Sequence, residues 1–447
     1  MKSIDYGHGS IAKAIVQSAG PMMVAQLLSL LYNMIDRMYI AYMPQGTIAI
    51  GAVGLCFPIL TIMIAFANLY GSGGGPLVAI CRGRKEEQEA KRIQAATLGL
   101  IVITGLVLMI VTQRWSSPIL RLFGATSGNL SYAKQYLDIV LWGTVFSMLA
   151  TGMNPFLIAQ GRPLASMTTI AIGAVLNIVL DPLFIFVWQM GIAGAAIATV
   201  ISQMISALIV LSLLMSKRAV LKLDFSLVFP SLKWGRIRRI TSLGFAGFIM
   251  QVTNSIVQSV SNSVLGQLGG DLYISIMTIV SSVRQILDTP ISGLVEGASP
   301  ILSFNYGANQ MGRVKKTILW MTGICLGYTV VVWLCVIIWP EVFIDLFNQD
   351  PNLIKIAKPA LTMYFAAFIF QAFQYAGQTV FKSLNMRNQA VFFSLFRKVV
   401  LVVPLTLLLP HFMGVMGVFA AEPISNFIGG CACYICMYGT VYRKIKS

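Results

Sequence analysis

Apolar runs of about twenty residues follow one another along the whole chain, separated only by short polar connections. A run of that length crosses the hydrocarbon core of a bilayer as an α-helix, because in lipid each backbone N–H and C=O must find its partner within the segment. The other spanning solution, a closed β-barrel, shows alternating segments of about ten residues, and the chain has no such pattern. The runs fall at 14–40, 48–70, 92–113, 134–157, 164–187, 192–214, 241–266, 272–300, 316–339, 358–382, 388–409 and 414–438. They predict an all-α polytopic membrane protein with twelve transmembrane helices. Only 11% of the residues are charged and 57% are hydrophobic, against roughly a quarter charged in a soluble domain, so a water-soluble surface is excluded. The opening stretch MKSIDYGHGSIAKAI carries no small-residue cleavage site behind a short apolar core, and the first span is expected to stay in place.

A net charge of +17 would suit nucleic acid, but the basic residues are distributed as membrane topology requires. With the amino terminus inside, the cytoplasmic segments hold 23 Lys and Arg residues, and the opposite side holds five: Arg114, Arg121, Lys134, Lys355 and Lys358. The cytoplasmic set includes Lys2, Lys13, the group from Arg82 to Arg92, and Arg443, Lys444 and Lys446. This is the positive-inside bias, with both termini cytoplasmic, and it needs no nucleic-acid partner. The seven cysteines lie mostly in spans or on the cytoplasmic side and form no disulfide framework. Cys431, Cys433 and Cys436 have no histidine nearby in sequence and read as apolar packing rather than a metal site.

The chain repeats itself. At an offset of 224, SGGGPLVAICRGRKEEQEAKR aligns with EGASPILSFNYGANQMGRVKK, and Ser18 and Gly20 fall on Ser242 and Gly244. At 223, MGIAGAAIATVISQ meets MGVMGVFAAEPISN. Three stretches in order at nearly one offset point to a duplication. Six spans per half, an even number, would relate two bundles by a pseudo-two-fold axis along the membrane normal. The expected division is 1–214, a basic cytoplasmic linker at 215–240, and 241–447.

A charge at the centre of a span costs about 2.5–3.5 kcal/mol, so each one is a functional candidate. The spans hold Asp36, Asp181, Asp288, Glu296, Glu422, Arg37, Arg284, Arg397 and Lys398. Arg284 and Asp288, four apart, pair on one helix, and Arg397 and Lys398 are close enough to the cytoplasmic side to snorkel. Asn177 and Asp181 are also four apart on one face, while Asn33 and Asp36 are three apart. Given the direction of each span, Asp36, Asn177, Asp181 and Thr199 all fall in the outer half of the bilayer. Two carboxylates with amide and hydroxyl oxygens at one depth can hold Na⁺ or share a proton; the competing reading is a set of helix–helix hydrogen bonds. In the repeat, Val260 and Leu405 replace the aspartates, so the ion site is expected in the first half alone. Glu422 takes the place of Thr199 and Glu296 that of Ser72; they attract a cationic substrate or serve as interfacial, hydrogen-bonded residues.

Other features narrow the function. The glycine run GSGGGP at 71–76 lacks the Lys and Ser/Thr of a phosphate-binding loop, so ATP is not a direct energy source without a partner subunit. No His, Cys or Ser constellation lies within the spans, which argues against an enzyme, and no cofactor is expected beyond a coupling ion. Pro21 removes a backbone donor in the first span and is either a hinge or a static bend.

Together SAGPMMVAQLLSLLYNMIDRMYIA, the loop CRGRKEEQEAKR with its partner NYGANQMGRVKK, MNPFLIAQGRP, and GAVLNIVLDPLFIF followed by MGIAGAAIATVISQ carry a resemblance over essentially all twelve spans. The chain resembles the multidrug and toxic compound extrusion (MATE) family, and within it the MepA-like bacterial branch. That resemblance implies two bundles around a V-shaped cavity and exchange of inward Na⁺ or H⁺ for outward amphipathic, often cationic compounds. It maps the cation site onto Asp36, Asn177, Asp181 and Thr199, with Asn154 close by, and matches Pro21 to a first-helix proline at which bending has been proposed. The NorM-like branch has a glutamate in span seven, and this chain has no acid there. The expectation is therefore a monomeric secondary multidrug exporter of organic cations, working by alternating access. The rivals are a lipid-linked precursor flippase of related architecture and a non-transporting membrane receptor.

Overall fold

The computed structural model describes residues 3–43, 46–126, 128–348 and 350–445. Lys2 and Lys446, counted among the cytoplasmic charges, lie outside them. Among the described residues there is no strand. Ten helices are long and apolar enough to cross a membrane: α1 (Ile11–Ala41), α2 (Ile48–Gly83), α3 (Glu87–Arg114), α5 (Pro163–Val187), α6 (Gly191–Met215), α7 (Trp234–Gly270), α9 (Met311–Ile338), α10 (Pro351–Ser383), α11 (Arg387–Met413) and α12 (Met416–Tyr442). An eleventh, α4, is a pair, Leu130–Trp142 and Thr144–Ala159, bent by 55° at Gly143. The twelfth, α8, covers 271–307 and follows α7 across Gly270, whose φ of 67° breaks the helix. Arg284, Asp288 and Glu296 lower the hydropathy of α8, but it is helical throughout.

The duplication is visible in the backbone. Positive φ angles recur at matching places: Lys85 (62°) and Asn309 (56°), Gly161 (77°) and Asn385 (60°), Gly191 (57°) and Gly414 (57°). The first two pairs are left-handed residues that end helices by satisfying orphan carbonyls. Glu86 N–H donates to Cys81 (2.8 Å) and Gln310 N–H to Asn305 (2.9 Å), just as Arg162 donates to Leu157 and Met386 to Phe381. Four short turns thus have the same geometry in both halves.

Two compact units result, and they trade short segments relative to the 1–214 and 241–447 division. The first comprises the described residues up to Asp5 together with Val24–Gly244; the second comprises Tyr6–Met23 and the chain from Phe245 onward. Helix α1 therefore changes ownership after Met23, and the start of α7 belongs with the first unit. Glycine makes both arrangements feasible. A Cβ on Gly297 or Gly293 of α8 would strike the α1 backbone at Ala19 and Met23, and one on Gly244 of α7 would strike the Leu69 carbonyl of α2. Only a missing side chain allows helices to approach that closely. Gly73 and Gly297 sit at matching repeat positions, so the two contacts are counterparts.

The 215–240 segment is fastened to the first unit by specific bonds as well as by charge. Buried Gln160 donates to the Leu221 carbonyl (3.1 Å) and accepts from the Leu221 N–H (3.1 Å). Arg236 grips Glu89, in the first turn of α3, through Nη2 (2.8 Å) and Nε (3.2 Å). Within the segment, bonds from the Ser226 hydroxyl and N–H hold the Asp224 carboxyl below the usual carboxylate range. In the second unit, Arg313 clamps the approach to α1 by donating to the carbonyls of Gly9 (2.9 Å), Tyr6 (3.2 Å) and His8 (3.3 Å).

Candidate functional site

In the first unit, neighbouring stretches of α1, α4, α5 and α6 enclose a polar group within an apolar surround. Ile40, Cys56, Ile59, Leu137, Val140, Ile185 and Ile192 belong to one buried cluster there. On α5, Asp181 and Asn177 face inward, 0% and 3% exposed. Asn177 Nδ2 donates to Asp181 Oδ1 (3.1 Å) and to Thr199 Oγ1 of α6 (3.4 Å). Asp36, from the part of α1 that belongs to this unit, brings its carboxyl within hydrogen-bonding reach of Asp181. Tyr32 and Tyr136 are electrostatic neighbours of Asp36. Pro182 follows Asp181, and the helix widens into a π-turn at Leu183–Val187, a local irregularity often found at functional sites.

The four residues that spacing and depth brought together in sequence are thus neighbours in space. Three of their oxygens, Asp36 Oδ1, Asp181 Oδ2 and Asn177 Oδ1, are buried without a hydrogen-bond partner. Unpaired buried oxygens are costly, and a donor set of carboxylate, amide and hydroxyl oxygens fits a hard cation or a shared proton. Asn33 does not join: it is exposed and donates to the Ser29 carbonyl (2.6 Å). Arg37 turns away to lie over the Phe57 ring, 4.9 Å from its centroid.

Asn154 lies elsewhere. Its Nδ2 donates to the Ala150 carbonyl (2.9 Å), and its Oδ1 accepts from Ser166 (2.9 Å) and Thr169 (3.1 Å) near the start of α5. Thr169 precedes Asn177 by two turns, about 12 Å at 1.5 Å per residue, so Asn154 ties α4 to α5 at a different depth. Helix α1 runs unbroken through Pro21, two residues before it changes units.

The second unit holds a different constellation. Glu422 on α12, 3% exposed, is met at Oε1 by three cations: Arg284 of α8, Arg397 of α11 (2.9 Å) and Lys398 of α11 (3.4 Å). Arg284 also binds Asp288 (3.2 Å), as its spacing predicts, and Tyr364 (2.8 Å). Gln371 donates to the other Asp288 oxygen (2.8 Å), and Arg397 to Asn426 (2.8 Å). Of the two readings open for Glu422, the geometry matches the hydrogen-bonded one rather than attraction of a cationic substrate, because its charge is already met by protein cations. Arg397 and Lys398 do not snorkel; they point into the bundle and are 8% and 6% exposed. Glu296 is exposed, with Lys382 as an electrostatic neighbour.

Two residues of the first unit escaped the sequence reading. Tyr136 lacks a formal charge and so drew no notice. Asp138 falls within the 134–157 run, about two turns inside the bent α4, and its Oδ1 is buried without a partner. An aspartate within a span is itself the signal that would have found it.

Comparison with known proteins places these features in a family. The MatE family model matches the chain twice, over residues 21–183 and 247–408, one match in each half. Among curated proteins, the chain is 25% identical over 430 residues to the multidrug export protein MepA of Staphylococcus haemolyticus (strain JCSC1435), covering 95% of this chain and 93% of that one. It is 24% identical over 431 residues to MepA of Staphylococcus aureus (strain N315), covering 96% and 94%. Among solved structures, a MATE protein in complex with MaD3S superposes with a TM-score of 0.92 at 23% identity, and a MATE protein in the straight conformation with 0.92 at 22%, each covering 99% of both chains. The structural likenesses bear on the fold, and the paired family match spans most of both halves: the chain belongs to the MatE family.

Proposed function

We propose that this protein is a secondary multidrug exporter that moves amphipathic organic compounds, cations among them, out of the cell in exchange for inward H⁺ or Na⁺. It acts as a monomer in the bacterial cytoplasmic membrane, with both termini in the cytoplasm and no cofactor beyond the coupling ion. The names of its staphylococcal relatives, multidrug export proteins, support the transport class. The observation that carries the coupling scheme is the pair Asp36 and Asp181, each with a buried, unpartnered oxygen, with Asn177 and Thr199 alongside. Two like charges in an apolar bundle repel, and a proton or Na⁺ relieves that repulsion. If the relief is larger in one conformation than in the other, cation binding shifts the balance between inward-open and outward-open states. Moving that balance from 1:99 to 99:1 takes about 5.5 kcal/mol of differential affinity. Pro21, just ahead of the point where α1 changes units, is the proposed hinge.

The test uses purified protein in liposomes, with a Na⁺ gradient and a pH gradient imposed separately while a fluorescent organic cation is followed. One gradient should drive uptake into vesicles of the appropriate orientation, and Asp36→Asn and Asp181→Asn should each abolish it without loss of folded protein. Normal gradient-driven flux in both variants would remove the pair from the mechanism.

A further inference from the structure

The cluster around Glu422 has a charge imbalance that the coupling scheme does not use. Three cationic side chains, Arg284, Arg397 and Lys398, face two carboxylates, Asp288 and Glu422. Both Asp288 oxygens are engaged, one by Arg284 and one by Gln371. The three cations meet at a single oxygen, Glu422 Oε1. Lys398 is the least satisfied of them: an ammonium has three donors, and its one hydrogen bond among the described residues, to Glu422, is long at 3.4 Å. Arg397 by contrast also holds Asn426, and Arg284 also holds Tyr364.

The backbone is built to deliver this surplus. Consecutive residues on an α-helix diverge by about 100°, so Arg397 and Lys398 would not both reach one oxygen from a regular turn. They lie in a π-helical stretch, Phe396–Val402, whose wider turn reduces that divergence, and both are buried there. Across from them, Gly429 of α12 leaves the space that the Arg397 side chain fills; a Cβ there would press on Arg397 Cγ. Glu422 occupies the repeat position of Thr199, so equivalent places of the repeat hold paired aspartates in the first unit and surplus cations in the second.

We propose that this cluster binds the monoanionic head of an amphipathic ligand, a carboxylate, with Lys398 as the principal partner and Arg397 beside it. One such anion brings the cluster to neutrality and supplies the ammonium with the acceptors it lacks. The proposal is independent of the coupling reaction at Asp36 and Asp181, because it concerns equilibrium binding and needs no gradient.

The test measures binding of dansylglycine and its neutral amide to the purified full-length protein in nonionic detergent, by the rise in dansyl fluorescence. The acid should bind about tenfold more tightly than the amide, equivalent to about 1.4 kcal/mol. Lys398→Met should erase the preference, and Lys398→Arg should retain most of it. The contrast between acid and amide in the unmodified protein needs no variant, so a folding defect in Lys398→Met leaves the test intact. Equal affinity for acid and amide overturns the proposal. So does an undiminished preference in folded Lys398→Met.

Discussion

Replacing Asp181 by Asn should silence transport and at the same time make the protein more stable. Asp181 Oδ2 and Asp36 Oδ1 are buried and unpartnered, and a buried unsatisfied polar atom costs about 1–3 kcal/mol. Asparagine keeps Oδ1 for the Asn177 amide that now donates at 3.1 Å. It also puts an N–H donor where the second carboxylate oxygen faces Asp36, removing one of two like charges. The expected gain is about 1–3 kcal/mol, which for a unit of some 200 residues raises Tm by roughly 2–12 °C. The unmodified protein should gain stability when its coupling cation is added, by about 2.7 kcal/mol at a hundred times Kd, and the variant should lose that response. Thermal unfolding in detergent, followed by tryptophan fluorescence over a range of NaCl concentrations and pH, reads both quantities. A Tm several degrees lower in the variant would make Asp181 an ordinary structural residue. A retained Na⁺ or acid response would place the cation elsewhere.

Glu422→Gln should act in the opposite direction. It leaves Arg284, Arg397 and Lys398 converging on a neutral amide, and breaking a buried ion pair from one side costs about 3–5 kcal/mol; a fall in Tm of roughly 6–20 °C is expected, and an unchanged Tm would mean that Glu422 does not hold the three cations. Gln160→Ala removes both bonds to the Leu221 backbone, at about 2–4 kcal/mol of local stability. Limited trypsin digestion should then cut the exposed Lys217, Arg218 and Lys222 at least about tenfold faster, while an unchanged digestion rate would show that Arg236 and Glu89 suffice to hold the segment.

The first-unit site was legible because its information is local and directional. Asn177 and Asp181 share a face by spacing, and the alternating direction of the spans puts Asp36 and Thr199 at the same depth. The second-unit cluster was not legible, because a π-turn alters which way Arg397 and Lys398 point, and no periodicity in the sequence announces it. With a regular helical register, snorkelling was the reasonable expectation and Glu422 looked unpaired. Asn154 was carried in by resemblance, and its partners Ser166 and Thr169 are ordinary polar residues that no pattern distinguishes. The exchange of α1 between units is half visible in the sequence: the match of Gly20 to Gly244 points to duplication, but a matched glycine does not reveal which backbone lies against it.

That exchange sets an order of events during synthesis. The stretch up to Met23 emerges first, yet the surfaces it packs on, at Gly293 and Gly297, follow about 270 residues later, some 15–55 s at ordinary ribosomal speeds. Until then its glycine-matched face has no seat, so the leading helix waits in the bilayer half-docked while its own bundle closes around its far end. A ribosome pause or truncation before residue 297 would therefore strand the oldest part of the chain as well as the newest.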